Sequence, residues 1–339
     1  MTSLPTRPLG RTGMEITRVG FGAWAIGGGG WVAGWGPQDD DESVAAIRHA
    51  VESGINWVDT AAIYGLGHSE EVVARALSVF ADADRPYVFT KCGVLPDPSD
   101  PMLPNLWVGD PASIRREVEG SLARLSVERI DLYQMHWPPR DATPVELYWQ
   151  TLLDLRAEGL VASVGMSNHS LDLLERAEAI GHVESMQPPF SLINRVAGGD
   201  VVPWCASHDT GVVVYSPMQS GLLTGSFGVE RVAAMPADDW RSRNAEFQPP
   251  KLAANIALAD ALRPVAERHG TTVGSVAIAW TLAFDGVTGA IVGARRPDQI
   301  DGWIGAATLE LGSQDLAEIA AAIGRTGAGA GPLGPPRAL

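Results

Sequence analysis

The sequence predicts an α/β fold, a (β/α)₈ TIM barrel with an N-terminal hairpin and a long loop after the seventh strand. Three observations carry this expectation. Short β-type runs alternate with amphipathic helical stretches through eight units. The strand interiors are apolar on both faces, as in a parallel sheet covered by helices. Polar residues gather at the C-terminal ends of the strands, where barrels of this kind do their chemistry.

The elements follow in order. Residues 8–16, with Arg11-Thr12-Gly13, read as a hairpin sealing the barrel bottom, and 19–22 as the first strand. Residues 43–53 read as a helix, with Val44, Ile47 and Val51 on one stripe and Asp39, Asp40 and Asp41 at its positive end. A second strand at 55–59 leads to a helix over 69–77, with Ser69 as expected N-cap and Glu70 and Glu71 in the first turn. After the third strand, 87–91, Asp110-Pro111 is a cap followed by proline at the first helical position, and Ile114, Val118, Leu122 and Leu125 recur at helical spacing. The fourth strand is 130–136, and Thr143-Pro144 opens the next helix. Residues 161–167, 184–187, 212–215 and 290–293 supply strands five to eight, each followed by a helix-like stretch. Residues 216–250 form a long insertion of the kind that often makes a lid. Residues 1–323 are expected to form one barrel domain, and 324–339, rich in Gly and Pro, a disordered tail.

Composition narrows the function classes. The net charge of −15 repels phosphate backbones and anionic lipids, which argues against a nucleic-acid or membrane partner. The two cysteines, Cys92 and Cys205, make no disulfide framework, and no metal-ligand spacing occurs. No secretory leader and no apolar run of bilayer length is present, so a cytoplasmic enzyme is expected. The oligomeric state is open.

The strand ends read Asp59, Lys91, His136, Ser167-Asn168, Gln187, Tyr215-Ser216 and Gly293, with Tyr64 in the loop just after Asp59. This set has a mechanism. A phenol titrates near pH ~10 and is a poor acid–base catalyst at neutrality. A neighbouring ammonium, Lys91, is expected to lower the Tyr64 pKa, with Asp59 fixing that ammonium and His136 orienting a substrate oxygen. The assembly suits protonation of a carbonyl oxygen while hydride arrives at carbon. No Gly–x–Ser–x–Gly elbow occurs. Trp24, Trp31, Trp35, Trp107 and Trp137 fall in mouth loops, with Trp24 and Trp137 expected to line the substrate pocket. Strand alternation turns Cys92 away from the mouth as a buried, inert thiol. His68 and His169 are expected at the surface or in caps.

Six segments in family order make the chain resemble the aldo-keto reductases, in their bacterial and voltage-channel-β-like branch. They are GINWVDTAAIYGLGHSEE (54–71), TKCG (90–93), RIDLYQMHWP (129–138), VGMSNHS (164–170), VVVYSPMQSGLLTG (212–225) and IVGARRPDQI (291–300). The resemblance implies that Asp59, Tyr64, Lys91 and His136 form a catalytic tetrad. It also implies a nicotinamide cofactor lying across the barrel mouth, in agreement with the absence of a Gly–x–Gly–x–x–Gly strand–helix turn. By the same resemblance Ser167, Asn168 and Gln187 hold the carboxamide, and Tyr215 stacks on the ring. Ser216, Gly221, Leu222 and Thr224 border the pyrophosphate, and Gly293 belongs to the same cofactor-binding set. Arg295 or Arg296 meets a ribose 2′-phosphate, and Gln299 lies near the adenine. The arginine pair, on an acidic chain, favours NADPH/NADP over NADH. Where family members commonly carry Glu-Asn after the Gln299 position, this chain has Gly302-Trp303.

The expected function is NADPH-dependent reduction of a small-molecule carbonyl substrate, aldehyde or ketone, with Tyr64 as general acid. Two alternatives stand beside it: an NAD(P)-dependent sugar or polyol dehydrogenase, and a cofactor-sensing binding subunit with little turnover.

Overall fold

The computed structural model describes residues 4–235 and 239–336. Eight parallel strands close into a barrel: β1 (Val19–Gly22), β2 (Trp57–Asp59), β3 (Tyr87–Cys92), β4 (Ile130–Met135), β5 (Val161–Ser167), β6 (Ser185–Gln187), β7 (Gly211–Tyr215) and β8 (Val287–Gly293). Neighbours in sequence are neighbours in the sheet. Pairing of Ala290 with Val19 and of Gly293 with Gly22 closes the ring. Helices α1 (Asp40–Glu52), α2 (His68–Leu77), α3 (Pro111–Leu125), α4 (Val145–Ala157), α5 (Leu171–Glu178) and α6 (Val201–Ser207) follow strands β1 to β6 in turn. After β7 come α7 (Val229–Ala233), α8 (Lys251–Ala261), α9 (Arg263–Arg268) and α10 (Val273–Leu282); after β8 come α11 (Pro297–Asp301) and α12 (Ser313–Thr326).

Helix starts follow local chemistry. Asp39 caps α1 by accepting from the Glu42 amide at 2.9 Å, so the helix begins three residues earlier than its apolar stripe suggests. Asp110 caps α3 in the same way through the Ser113 amide, with Pro111 at the first position. Ser69 is not the cap of α2. Gly67, at φ 101°, takes that position, and the buried Ser69 hydroxyl donates to the Ala23 carbonyl and bonds the Thr60 hydroxyl instead.

Strand alternation sorts the core into two shells. Val58, Val88, Tyr133, Val212 and Val292 face the helices. Trp57, Phe89, Leu132, Val213 and Ile291 fill the barrel, joined from below by Leu9, Met14 and Ile16 of the hairpin, whose strands Thr6–Pro8 and Glu15–Thr17 pair antiparallel. Trp57 takes so much of this space that a Cβ on Gly20 would sit 2.2 Å from its ring. Because the Trp57–Phe89 stack fills the barrel at this level, the next inward residues on the same strands, Asp59 and Lys91, fall at the mouth. Cys92 is buried in the helix-facing shell, as alternation requires.

The tail is ordered further than its composition suggests. Helix α12 runs to Thr326, past the expected boundary at 324. Ala330 then exchanges backbone hydrogen bonds with Ile193 and Arg195, and the Arg195 guanidinium donates to the Ala328 carbonyl. A Cβ on Gly329 would lie 1.8 Å from the Ile193 carbonyl oxygen. The glycines that read as disorder therefore permit close backbone packing. Residues 337–339 of the expected tail, and 236–238 of the insertion, lie outside the described residues. Among the described residues no helix is long and apolar enough to cross a membrane.

Candidate active site

A cavity of about 1060 Å³ opens at the C-terminal ends of the strands. Lys91 lies behind its wall, fully buried. Its ammonium donates to Asp59 Oδ1 at 2.5 Å and to the Thr60 carbonyl at 2.8 Å. Gln187 donates its amide to Asp59 Oδ2 at 2.8 Å, so both carboxylate oxygens are engaged. Tyr64, in the 3₁₀ turn after β2, sits with its ring centroid 5.2 Å from the Lys91 nitrogen and 5.7 Å from the His136 ring. The four residues expected as a tetrad are thus gathered in one place.

The electrostatics differ from the expectation. Lys91 spends its charge on Asp59, and burial, then Asp59 and Tyr215, hold the Tyr64 phenol well above its ordinary range. The ammonium does not depress it. Burial also lowers the Lys91 pKa, opposed by Asp59. Burial, then Lys91, pushes His136 well below the usual imidazole range, so the ring is neutral at pH 7. The result is a protonated phenol beside a neutral imidazole over a satisfied ion pair.

The amides expected at the cofactor form the cavity floor. Asn168, at φ 64°, donates to the His136 carbonyl and to Ser167 Oγ, both at 3.0 Å, and accepts from the Tyr215 hydroxyl at 2.8 Å. Ser167 Oγ in turn donates to the Gln187 carbonyl. These bonds pin the Tyr215 ring in the cavity wall. Beneath Asn168, His169 is buried, not at the surface as expected. The Ser167 carbonyl can only accept, so Nδ1 carries the proton and Nε2 accepts from the Tyr148 hydroxyl. His68 is half-exposed on Asp40, at 2.8 Å.

The 216–250 insertion borders the far part of the cavity. Ser216, Gly221 and Thr224 line it, with Ser216 at φ 55° and Gly221 at φ 104°. Leu222 does not line it: its side chain is fully buried in the helix-facing core, so any role there is left to its backbone. Gly293, Arg295, Arg296 and Gln299 line the same part. The Arg295 guanidinium is held by Gln38 and by the Pro37 carbonyl, and its amide donates to Gln299 Oε1 at 2.7 Å. Arg296 is exposed and paired with Asp298. Trp303 is buried in the wall.

Sequence reasoning missed several lining residues. Arg231 and Arg241 join the two expected arginines, and Gln38 and Glu42 face them. Arg241 lies over the Trp35 ring at 4.7 Å and pairs with the buried Asp239. Of these only Arg241 had a signal in the chain, the Trp240-Arg241 step. Behind the lining, Gln134 lies one strand over from Lys91 in register and accepts from the Gln187 amide at 3.4 Å; its position two residues before His136 could have placed it on the inward face. All five mouth-loop tryptophans line the cavity. Trp24 stacks on Trp240 at 5.3 Å, and Trp35 meets both rings edge-on, which clamps the insertion to the loop after β1.

The comparisons agree with this architecture. The model of the aldo/keto reductase family matches residues 18–323. The aldo-keto reductase YhdN of Bacillus subtilis is 32% identical over 309 residues, 91% of this chain and 90% of that protein. The NADH-specific methylglyoxal reductase of Escherichia coli is 31% identical over 332 residues, 94% of this chain and 99% of that protein. The structure of the glycerol dehydrogenase AKR11B4 from Gluconobacter oxydans, 35% identical, superposes with a TM-score of 0.85 over 96% of this chain and 97% of that one. With the family model spanning the whole barrel and relatives of this identity end to end, the chain belongs to the aldo/keto reductase family.

Proposed function

We propose that this protein reduces aldehydes or ketones to alcohols with a nicotinamide cofactor, preferentially NADPH, and that Tyr64 is the general acid. The observation that carries the reading is the placement of Tyr64. Its ring lines the cavity, 5.7 Å from the His136 ring and 5.2 Å from the ammonium of the buried Lys91–Asp59 pair.

The residues present fit the cofactor. Gln187 spends its amide nitrogen on Asp59 and keeps Oε1 as an acceptor for a carboxamide. The pinned Tyr215 ring offers a flat wall, and four arginines line the other end of the cavity, where a 2′-phosphate would sit. When bound, a reduced nicotinamide supplies the hydride. His136, neutral, donates an N–H to the carbonyl oxygen and orients it. As the carbonyl carbon gains its new C–H bond, the π pair moves to oxygen and takes the Tyr64 proton. Solvent then reprotonates the phenolate.

Tyr64→Phe tests the assignment: turnover of reactive aldehydes should vanish while cofactor binding stays within about twofold. Titration of tryptophan fluorescence with NADPH and NADH tests the preference. Tighter NADH binding, in line with the name of the methylglyoxal reductase relative, would remove the 2′-phosphate role of the arginines.

A further inference from the structure

Tyr64 stands on a segment with no regular backbone pairing of its own. The residues after it, Gly65 at φ 61°, Leu66 at φ 60° and Gly67 at φ 101°, are all left-handed, and α2 starts directly behind them. The place of the phenol therefore depends on what fixes the first turn of α2. Ser69 ties that turn to the Ala23 carbonyl after β1 and to Thr60 after β2. One more residue ties it to β3, the strand that carries Lys91.

That residue is Glu70, whose side chain is fully buried. Its Oε1 accepts from the Thr90 hydroxyl at 2.6 Å, and its Oε2 accepts from Arg124 Nε, on α3, at 2.7 Å. Thr90 immediately precedes Lys91. Among the described residues this is the only side-chain hydrogen bond from α2 to β3. Arg124 also lies along the turn itself, since a Cβ on Gly67 would sit 2.7 Å from Arg124 Cδ. Glu71, in the same helical turn, is exposed, so the helix dipole by itself does not call for a buried carboxylate here. Stripped of either partner, Glu70 would be a buried charge left unanswered, so the turn cannot drift from Thr90 and Arg124 without cost. Glu70 is not part of the cavity lining. Asp59 thus holds β3 from inside the barrel, and Glu70 holds it from the helix side.

We propose that Glu70 is a positioning residue for the reaction: by locking the first turn of α2 to Thr90 and Arg124, it sets the separation of Tyr64 from Lys91. The inference rests on the reading of Tyr64 as general acid and goes beyond it, because Glu70 lies outside the space of substrate and cofactor. What acts is the length of the Glu70 side chain. A displacement of about 1 Å at a reacting group can lower a rate about 100-fold. The rival account is electrostatic: burial lowers the Lys91 pKa, and Asp59 and then Glu70 oppose it.

Two substitutions separate length from charge. Glu70→Gln keeps the length, since its Oε1 can accept from Arg124 while its amide donates to Thr90 Oγ1. Glu70→Asp keeps the charge but is one methylene shorter. With a reactive aldehyde, Glu70→Gln should keep more than about half of the wild-type kcat, and Glu70→Asp should lose about tenfold. KM and NADPH affinity should stay within about twofold in both. The solvent deuterium isotope effect on the single-turnover rate should rise about 1.5-fold or more in Glu70→Asp, because proton delivery becomes the slower event. A loss of folded enzyme alone would leave that isotope effect unmoved. Glu70→Asp matching or outperforming Glu70→Gln, or an unchanged isotope effect, overturns the proposal. If Glu70→Asp does not fold, Thr90→Val takes its place: it frees the β3 end, keeps the Glu70–Arg124 pair, and should show the same loss and the same isotope effect. If turnover survives Tyr64→Phe, or no carbonyl is turned over, the general-acid reading falls by itself. The lock is then read from crystal structures of the variants. The Tyr64 ring centroid should stay 5.2 Å from the Lys91 nitrogen in Glu70→Gln and move by about 0.5 Å or more in Glu70→Asp, or in Thr90→Val where that variant replaces it. An unmoved ring overturns the lock.

Discussion

The Gln187 side-chain amide holds one oxygen of Asp59 at 2.8 Å while the Lys91 ammonium holds the other at 2.5 Å, so a single carboxylate links β6, β2 and β3 under the cavity at the barrel mouth. Breaking such a buried pair from one side leaves an uncompensated charge, at a cost of about 3–5 kcal/mol. Lys91→Met should therefore lose stability of that order in urea unfolding and abolish turnover. The Asp59→Asn/Lys91→Met double variant should recover more than half of the stability and none of the activity. Additive losses in the double variant would show that the two charges are not coupled.

Tyr64 should leave a clear mark on the pH–rate profile. Its phenol is held well above the ordinary range, so the acid form persists past pH ~10. The reductive kcat is expected to show no alkaline fall between pH 8 and about 10. A descending limb centred near pH 8 would mean that a depressed phenol, or another group, is the acid.

Glu117, on α3, makes stability fall between mildly acidic and neutral pH. Its carboxylate accepts from the Gly93 amide at 2.8 Å and from Ser113, yet burial raises its pKa to about 7. A group whose folded pKa is raised contributes stability that is fully present below the unfolded value near 4.5 and is lost as pH rises through about 7. Unfolding free energy should fall by up to about 3 kcal/mol across that window, and Glu117→Gln should flatten the fall. The same variant keeps a hydrogen-bond acceptor for Gly93, so the hairpin in which Val94–Leu95 pairs with Leu106–Trp107 should stay in place.

His169 works in the opposite direction. Burial lowers its pKa to about 4, so its contribution is present above the unfolded value near 6.5 and is lost as pH falls through about 4. Acid unfolding of His169→Gln should begin at lower pH than that of the wild type. His169→Leu leaves the Tyr148 hydroxyl and the Ser167 carbonyl without their partner and should cost about 1–3 kcal/mol at pH 7. Because Ser167 and Asn168 rest on this histidine, cofactor affinity should weaken as well.

The Trp24–Trp240 stack makes the insertion measurable. An aromatic pair contributes about 0.5–1.5 kcal/mol beyond its buried area. Trp240→Ala should therefore weaken cofactor binding by about 2- to 10-fold, expressed mainly as faster release in stopped-flow fluorescence. Unchanged release would show that the insertion does not retain the cofactor.

The sequence by itself determined the barrel and the gathering of polar side chains at its mouth. Period-two alternation within eight short runs places Trp57 and Phe89 below and Asp59 and Lys91 above, because each inward step along a strand is a step toward the mouth. Asp110 marked a helix start because a carboxylate can reach a free amide three residues on, whereas Asp39 read only as part of an acidic run and its capping role emerged with the structure. Only the tertiary structure decided the rest. It turned Ser69 from cap to core bridge, buried His169 and Leu222, and paired the glycine-rich tail with Ile193 and Arg195. It also left the Tyr64 phenol raised, since the sign of that shift depends on how far burial outweighs a cation already committed to Asp59. Composition and spacing report which groups are near one another along the chain. Solvent exclusion and the choice among competing partners arise only when distant segments close around them.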